Sequence, residues 1–242
     1  MNLFSPERTL RICTIVALAA VGAVAANGAL LKGPFVILED TERLSIRMEV
    51  EQPDYEVILI HGELERTRSK PVFSRSKRDT FLAKVGVDLK ELRKFRGYEI
   101  WSEGEIIGSY DWRSRVDGTF QDYPRLLVFG DSQGGKETLS RLGKRWMQEE
   151  FDLLVALGDL VDTGSRYESW EEELFGPLSG LLPHYPILTV CGNHESYRER
   201  SFYWFDWFLG RKDDKRFFKM DFRDLRLVGI NNSDVHTKYG FD

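Results

Sequence analysis

Arg125-Leu126-Leu127-Val128-Phe129-Gly130-Asp131-Ser132-Gln133 is a short apolar run that stops on a glycine and a carboxylate. The pattern returns as Leu153-Leu154-Val155-Ala156-Leu157-Gly158-Asp159, and again as Ile187-Leu188-Thr189-Val190-Cys191-Gly192-Asn193-His194-Glu195. Apolar runs of this length, closed by glycine, read as buried strands. Between the first two, Leu139, Leu142, Trp146 and Met147 recur at helical spacing within 136–150. Between the second two, Trp170, Leu174, Leu178 and Leu181 do the same, until Pro183 and Pro186 stop the helix. Strand, helix, strand, helix, strand implies right-handed βαβ units and a mainly parallel sheet. All three polar clusters then fall at carboxyl ends of strands, the edge where such sheets bind ligands.

Those clusters offer oxygen donors. Asp131, Asp159 and Asn193 come from three strand ends, and Gln133 adds a fourth. The preceding glycines allow tight turns, so that the carboxylates converge. Converging carboxylates repel one another and raise their own pKa values unless a cation neutralises them. A divalent ion resolves the conflict, and a shared carboxylate would place two ions about 3.5–4 Å apart. Asp and Asn also favour helix N-caps, but three caps in consecutive βα loops leave a common site as the better reading. His184, between Pro183 and Pro186, reads as surface structure, and the aromatic run Phe202 to Phe208 as core or domain interface rather than a substrate-stacking lip.

Upstream, 34–123 changes period from 3.6 to 2. Leu44-Ser45-Ile46-Arg47-Met48-Glu49-Val50 alternates as a half-buried strand does. The runs 55–60, 80–87, 99–101 and 106–107 follow at short intervals, punctuated by glycines, which predicts an all-β sandwich. Val87-Asp88-Leu89-Lys90-Glu91-Leu92, leading through Gly97 into Tyr98, resembles the fibronectin type III pattern. That resemblance implies a tyrosine corner, with the Tyr98 hydroxyl bonded to upstream backbone. His61 has no sequence partner and reads as a strand-end histidine. Nothing in this segment looks catalytic.

At the N-terminus, Arg8 and Arg11 precede an uncharged stretch from Ile12 to Leu31. This is the pattern of an export signal, with Ala23 and Ala25 suited to cleavage before Ala26. Its 20 residues, about 30 Å as a helix, also suit a membrane anchor. Either reading sends the chain to the periplasm, cell surface or exterior, and the anchor would attach it to the membrane through 12–31. The 242 residues are 42% hydrophobic, 30% charged and 13% aromatic, a globular composition. The net charge of −5 argues against a nucleic-acid partner. A basic stretch from Arg66 to Arg78 follows Glu63 and Glu65 and reads as a solvated loop or strand face. Cys13 and Cys191 cannot make a disulfide framework.

Gly130-Asp131-Ser132-Gln133, Gly158-Asp159 and Gly192-Asn193-His194-Glu195, 28 and 34 residues apart, resemble the calcineurin-like metallophosphoesterases. The likeness covers 124–242, and the preceding sandwich is similar to the N-terminal domain of purple-acid-phosphatase-like members. Three regions follow: 1–31 signal or anchor, 34–123 sandwich, 124–242 phosphoesterase. The resemblance implies hydrolysis of phosphate esters, monoester or diester, small-molecule or polymer, by two divalent metal ions (Mn, Fe, Zn or Mg). Asp131 and Gln133 would hold the first ion, Asp159 would bridge, Asn193 would hold the second, and His194 would be catalytic. Asp162 and Glu195 fit supporting roles.

Three departures from the family pattern matter. Gln133 stands where histidine is usual, and its amide oxygen favours Mn²⁺ or Mg²⁺ over Zn²⁺. Val161 stands where purple acid phosphatases carry an iron-binding tyrosine, so their Fe(III) chromophore is not expected. The later Gly-His-x-His does not occur, and His236 comes too early to replace it. The 119 residues from Pro124 are about half of such a domain, so the expectation is a C-terminally truncated hydrolase, inactive by itself. The alternative is a non-catalytic surface or binding protein with a degenerate phosphoesterase half.

Overall fold

The computed structural model describes residues 30–115, 124–197, 201–211, 216–222 and 225–231. Among the described residues, eight strands precede residue 124: β1 (Leu30–Leu38), β2 (Arg43–Val50), β3 (Tyr55–His61), β4 (Glu65–Ser69), β5 (Val72–Arg75), β6 (Phe81–Asp88), β7 (Phe95–Ser102) and β8 (Glu105–Asp111). After it come β9 (Leu126–Phe129), α1 (Lys136–Trp146), β10 (Leu153–Ala156) and α2 (Tyr167–Trp170), which runs into π-type turns at Glu171–Phe175. The last elements are β11 (Pro186–Thr189), α3 (Tyr203–Phe208), β12 (Phe218–Phe222) and β13 (Leu225–Gly229). The predicted export signal or anchor lies outside the described residues except for Leu30 and Leu31, which open β1. Among the described residues no helix is long and apolar enough to cross a membrane.

The N-terminal strands form the expected sandwich. A four-stranded sheet, β4-β3-β7-β8, faces β5-β6-β2-β1, and Val57, Leu59, Tyr98 and Ile100 share one core with Ile46, Met48 and Val85. The second layer does not stop at residue 124. β1 pairs in parallel with β11, Val36 opposite Pro186 and Ile37 opposite Ile187, giving one seven-stranded sheet in the order β5-β6-β2-β1-β11-β10-β9. Its opposite face carries the helices, where Phe35, Ile37 and Leu154 meet Trp170, Leu174, Phe175, Phe205 and Phe208. Trp204, Phe205 and Phe208 are buried. Each such side chain is worth roughly 2–3 kcal/mol in transfer free energy, so the aromatic run is core, as the sequence suggests.

A buried polar clamp holds that core to the sheet. Ser45, Arg47 and Glu49 occupy the helix-facing side of β2 while Leu44, Ile46 and Met48 face the sandwich. Arg47 donates to the carbonyls of Phe208 and Gly210, to Ser45 Oγ and to Glu39 Oε1. Lys84 and Ser45 converge on the same Glu39 oxygen. Burial alone would raise the Glu39 pKa, but the Arg47 charge and these hydrogen bonds hold it at about 2, below its ordinary 4.5. The folded state therefore binds the proton more weakly than the unfolded chain. The resulting stability, on the order of 3 kcal/mol, is complete above about pH 4.5 and is lost as pH falls toward 2. Denaturant unfolding between pH 5 and 2.5 should show this loss, and Glu39→Gln should flatten the acid limb; an identical pH dependence in the variant would remove Glu39 as its source.

One expectation needs correction. Tyr98 is fully buried, but its hydroxyl donates to the carbonyl of Pro183, 85 residues downstream, so it is no tyrosine corner. It ties the sandwich to the loop before β11, a role that only the shared sheet makes available. His61 ends β3, its ring tilted against that of Phe95. His184 is half-buried with Nδ1 2.6 Å from the carbonyl oxygen of Asp111. Arg66 and Arg68 pair across strands with Glu99 and Glu56, as a solvated strand face does. Cys191 is buried.

Candidate metal centre

β9, β10 and β11 are parallel and in step, with Phe129 and Thr189 both level with Ala156. The three polar clusters therefore emerge at one edge. Their loops are stitched together by backbone: Asp131 N–H donates to the Gly158 carbonyl at 3.0 Å, and the N–H groups of Ser132 and Gln133 donate to the Asp159 carbonyl at 2.9 and 3.1 Å. Asp131 and Asp159 adopt left-handed backbone, φ 53° and 51°. Two non-glycine residues in that region at equivalent places are a costly arrangement, of the kind that persists at functional sites.

Two glycines permit the close approach. Gly158 has φ 88°, and a Cβ there would lie 2.3 Å from Gly192 N; a Cβ on Gly192 would lie 2.2 Å from Asp159 Oδ1. Gly158→Ala should cost at least about 2 kcal/mol, from the left-handed penalty and the backbone collision together. Thermal unfolding checks this, and an unchanged melting temperature would mean the loops are not so closely packed.

Glu195, for which the sequence suggests a supporting role, is a fully buried carboxylate at the centre of the loops. It accepts from Asp159 N at 3.0 Å, Leu160 N at 2.7 Å and Gly192 N at 2.6 Å. Burial, with the Asp159 charge beside it, pushes its pKa above the ordinary value against the pull of those three donors. Glu173, which the sequence reading missed, accepts from Gly134 N and Asp162 N.

His194 uses both backbone and ring. Its N–H donates to Asp159 Oδ1 at 2.9 Å, its Nδ1 lies 2.8 Å from the Asp162 carbonyl oxygen, and the ring stacks on Tyr197. With Nδ1–H donating to that carbonyl, Nε2 is left for proton exchange. Gln133 Nε2 donates to Asp131 Oδ1 at 2.9 Å, while Gln133 Oε1 is buried with no hydrogen-bond partner. Asn193 lies exposed at the same edge, one residue before His194. Among the described residues no three His, Cys, Asp or Glu side chains gather as a cation site; the proposed donors are instead two carboxylates and two amides. They fit a hard divalent ion, which would satisfy the orphaned Gln133 oxygen. Val161, where an iron-binding tyrosine would stand, is buried in the helix-side core. His236 lies outside the described residues.

The calcineurin-like phosphoesterase family matches residues 124–242, a span that holds all three strand-end clusters. A search among curated proteins gave no match. Among solved structures the chain is similar to the purple acid phosphatase PPD1 of yellow lupin (Lupinus luteus) seeds, at a TM-score of 0.61 and 13% identity. The alignment covers 81% of this chain and 43% of that one, so the chain spans less than half of the phosphatase's length. At that identity the likeness is one of fold. Residues 124–242 are thus similar to the calcineurin-like phosphoesterases in sequence, and the chain is similar to a purple acid phosphatase in fold.

Proposed function

We propose that the chain is part of an exported, metal-dependent hydrolase of phosphate esters and carries its dinuclear site at the carboxyl ends of β9, β10 and β11. The observation that carries this reading is the buried, partnerless Gln133 Oε1 beside Asp131, in a loop bonded to that of Asp159. The family match over 124–242 supports a divalent cofactor and a phosphorylated substrate. Asp131 and Gln133 would hold one ion, Asn193 the other, and Asp159 both. An all-oxygen donor set suits Mn²⁺ or Mg²⁺ better than Zn²⁺. When bound, such ions polarise the phosphoryl group and activate water for in-line attack.

The chain's own residues supply the rest. Glu195 fixes the Asp159 and Gly192 turns, so the bridging carboxylate is already oriented before a metal arrives. Asp162 accepts from His194 Nδ1, which leaves Nε2 to protonate or stabilise the departing alkoxide. Mn²⁺ titration calorimetry on the 242-residue chain is the primary test, with metal-dependent release of p-nitrophenol from mono- and bis(p-nitrophenyl) phosphate scored beside it. Mn²⁺ binding that Asp159→Asn weakens by more than about 100-fold is expected. Absence of Mn²⁺ binding in the parent chain would overturn the reading.

A further inference from the structure

A buried carboxylate joins the two ligand loops from a part of the chain with no recognisable motif. Glu173 lies in the π-type turns after α2, is 8% exposed, and sits among Glu171 and Glu172, which are more exposed. One atom, its Oε2, accepts from Gly134 N at 2.7 Å and from Asp162 N at 3.1 Å. Gly134 follows Gln133, whose Oε1 is the unpartnered donor oxygen. Asp162 is the residue whose carbonyl receives His194 Nδ1. Burying a carboxylate is costly unless hydrogen bonds compensate. Here the compensation comes from the backbone of the Gln133 loop and of the Asp162 turn at once. The π-type winding matters because such insertions re-aim side chains, often at functional sites.

We propose that Glu173 is a positioning residue of the phosphoester site, coupling the Gln133 side of the metal-ligand set to the orientation of the His194 ring. The proposal rests on the site reading above. Loss of the Oε2 atom frees the Gly134 and Asp162 amides together. Asp162 O then no longer holds His194 Nδ1 in place, and Gln133 loses its fixed approach to Asp131. A residue that merely stabilised the π-type turns would change melting temperature but would leave both the ring and the metal affinity alone.

The test compares Glu173→Ala, Glu173→Gln and Glu173→Asp in the full chain. In the metal-free protein, imidazole ¹⁵N spectra report whether His194 keeps its Nδ1–H form, and amide shifts report the Gly134 and Asp162 hydrogen bonds. Calorimetry gives Mn²⁺ affinity. Glu173→Ala should shift both amides, mix the His194 tautomers and weaken Mn²⁺ binding by about 10-fold or more, the usual cost of losing an outer partner of a ligand set. Glu173→Gln keeps an acceptor oxygen and should restore all three. Glu173→Asp, one methylene shorter, should resemble Glu173→Ala and serves if that variant does not fold. An Ala or Asp variant with parental His194 spectra and parental Mn²⁺ affinity would overturn the proposal. If the parent chain binds no Mn²⁺, the phosphoester reading fails, while the ring and amide spectra still decide the coupling.

Discussion

Asp159→Asn is expected to weaken Mn²⁺ binding by more than about 100-fold while leaving the melting temperature of the metal-free chain within about 2 °C of the parent. The backbone at Asp159 is left-handed, and asparagine tolerates that region at least as well as aspartate. The carboxylate oxygen that accepts from His194 N has an amide counterpart in asparagine, so the loop keeps its hydrogen bond. The like charge that helps to raise Glu195 disappears, which offsets any small loss. What does change is the charge on the one donor proposed to touch both ions. Loss of an outer partner costs roughly 10–100-fold in affinity, so loss of the bridging charge should exceed that. Gln133→Ala removes a neutral donor from one ion only and should do less harm. Equal, full metal content in the two variants, measured by calorimetry and elemental analysis, would contradict the assignment of Asp159 as the bridge.

How much of this was legible depends on whether the information is local. β9, β10 and β11 are readable because each is a short apolar run closed by glycine and a polar cluster, and their parallel order follows from the intervening helices. β2, β3, β6 and β7 are readable by period. β1 is obscured: Leu30 and Leu31 continue the apolar run from Ile12, so the strand's start merges with a segment read as signal or anchor. Its parallel pairing with β11 joins residues about 150 apart, and no window of sequence carries that. The same long-range pairing explains Tyr98. A local motif predicts a bond to nearby backbone, whereas the shared sheet brings the Pro183 carbonyl to its hydroxyl.

The site divides along the same line. Asp131, Asp159, Asn193 and His194 stand out because each follows a strand-ending glycine directly or by one residue. Glu195 was recognisable as a support from its place in the same cluster. Glu173 was not, because three consecutive glutamates carry no spacing signal. Only the π-type turns bury the third. The orphaned Gln133 oxygen is likewise a fact of packing, though the choice of an oxygen donor at that position was visible in the sequence.

In an active full-length enzyme, His194→Ala should lower turnover by roughly 10²–10⁴-fold, the range for a group that transfers a proton or stabilises developing charge, while metal content stays close to the parent. The structure separates the two effects. The link to the bridging carboxylate runs from the His194 backbone N–H to Asp159 Oδ1, and alanine retains it. The ring is held independently, by the Asp162 carbonyl at Nδ1 and by the stack on Tyr197. Truncation therefore removes Nε2 chemistry without releasing the Asp159 loop. Rates should be scored as ratios to the parent full-length enzyme under Mn²⁺, with two substrates that differ in leaving group. p-Nitrophenolate needs little protonation to depart, whereas an alkoxide needs much, so a proton donor predicts a larger loss with an alkyl ester than with the aryl one. Equal losses would assign His194 to charge stabilisation instead. Loss of metal from the variant would make it a ligand and overturn the division of roles.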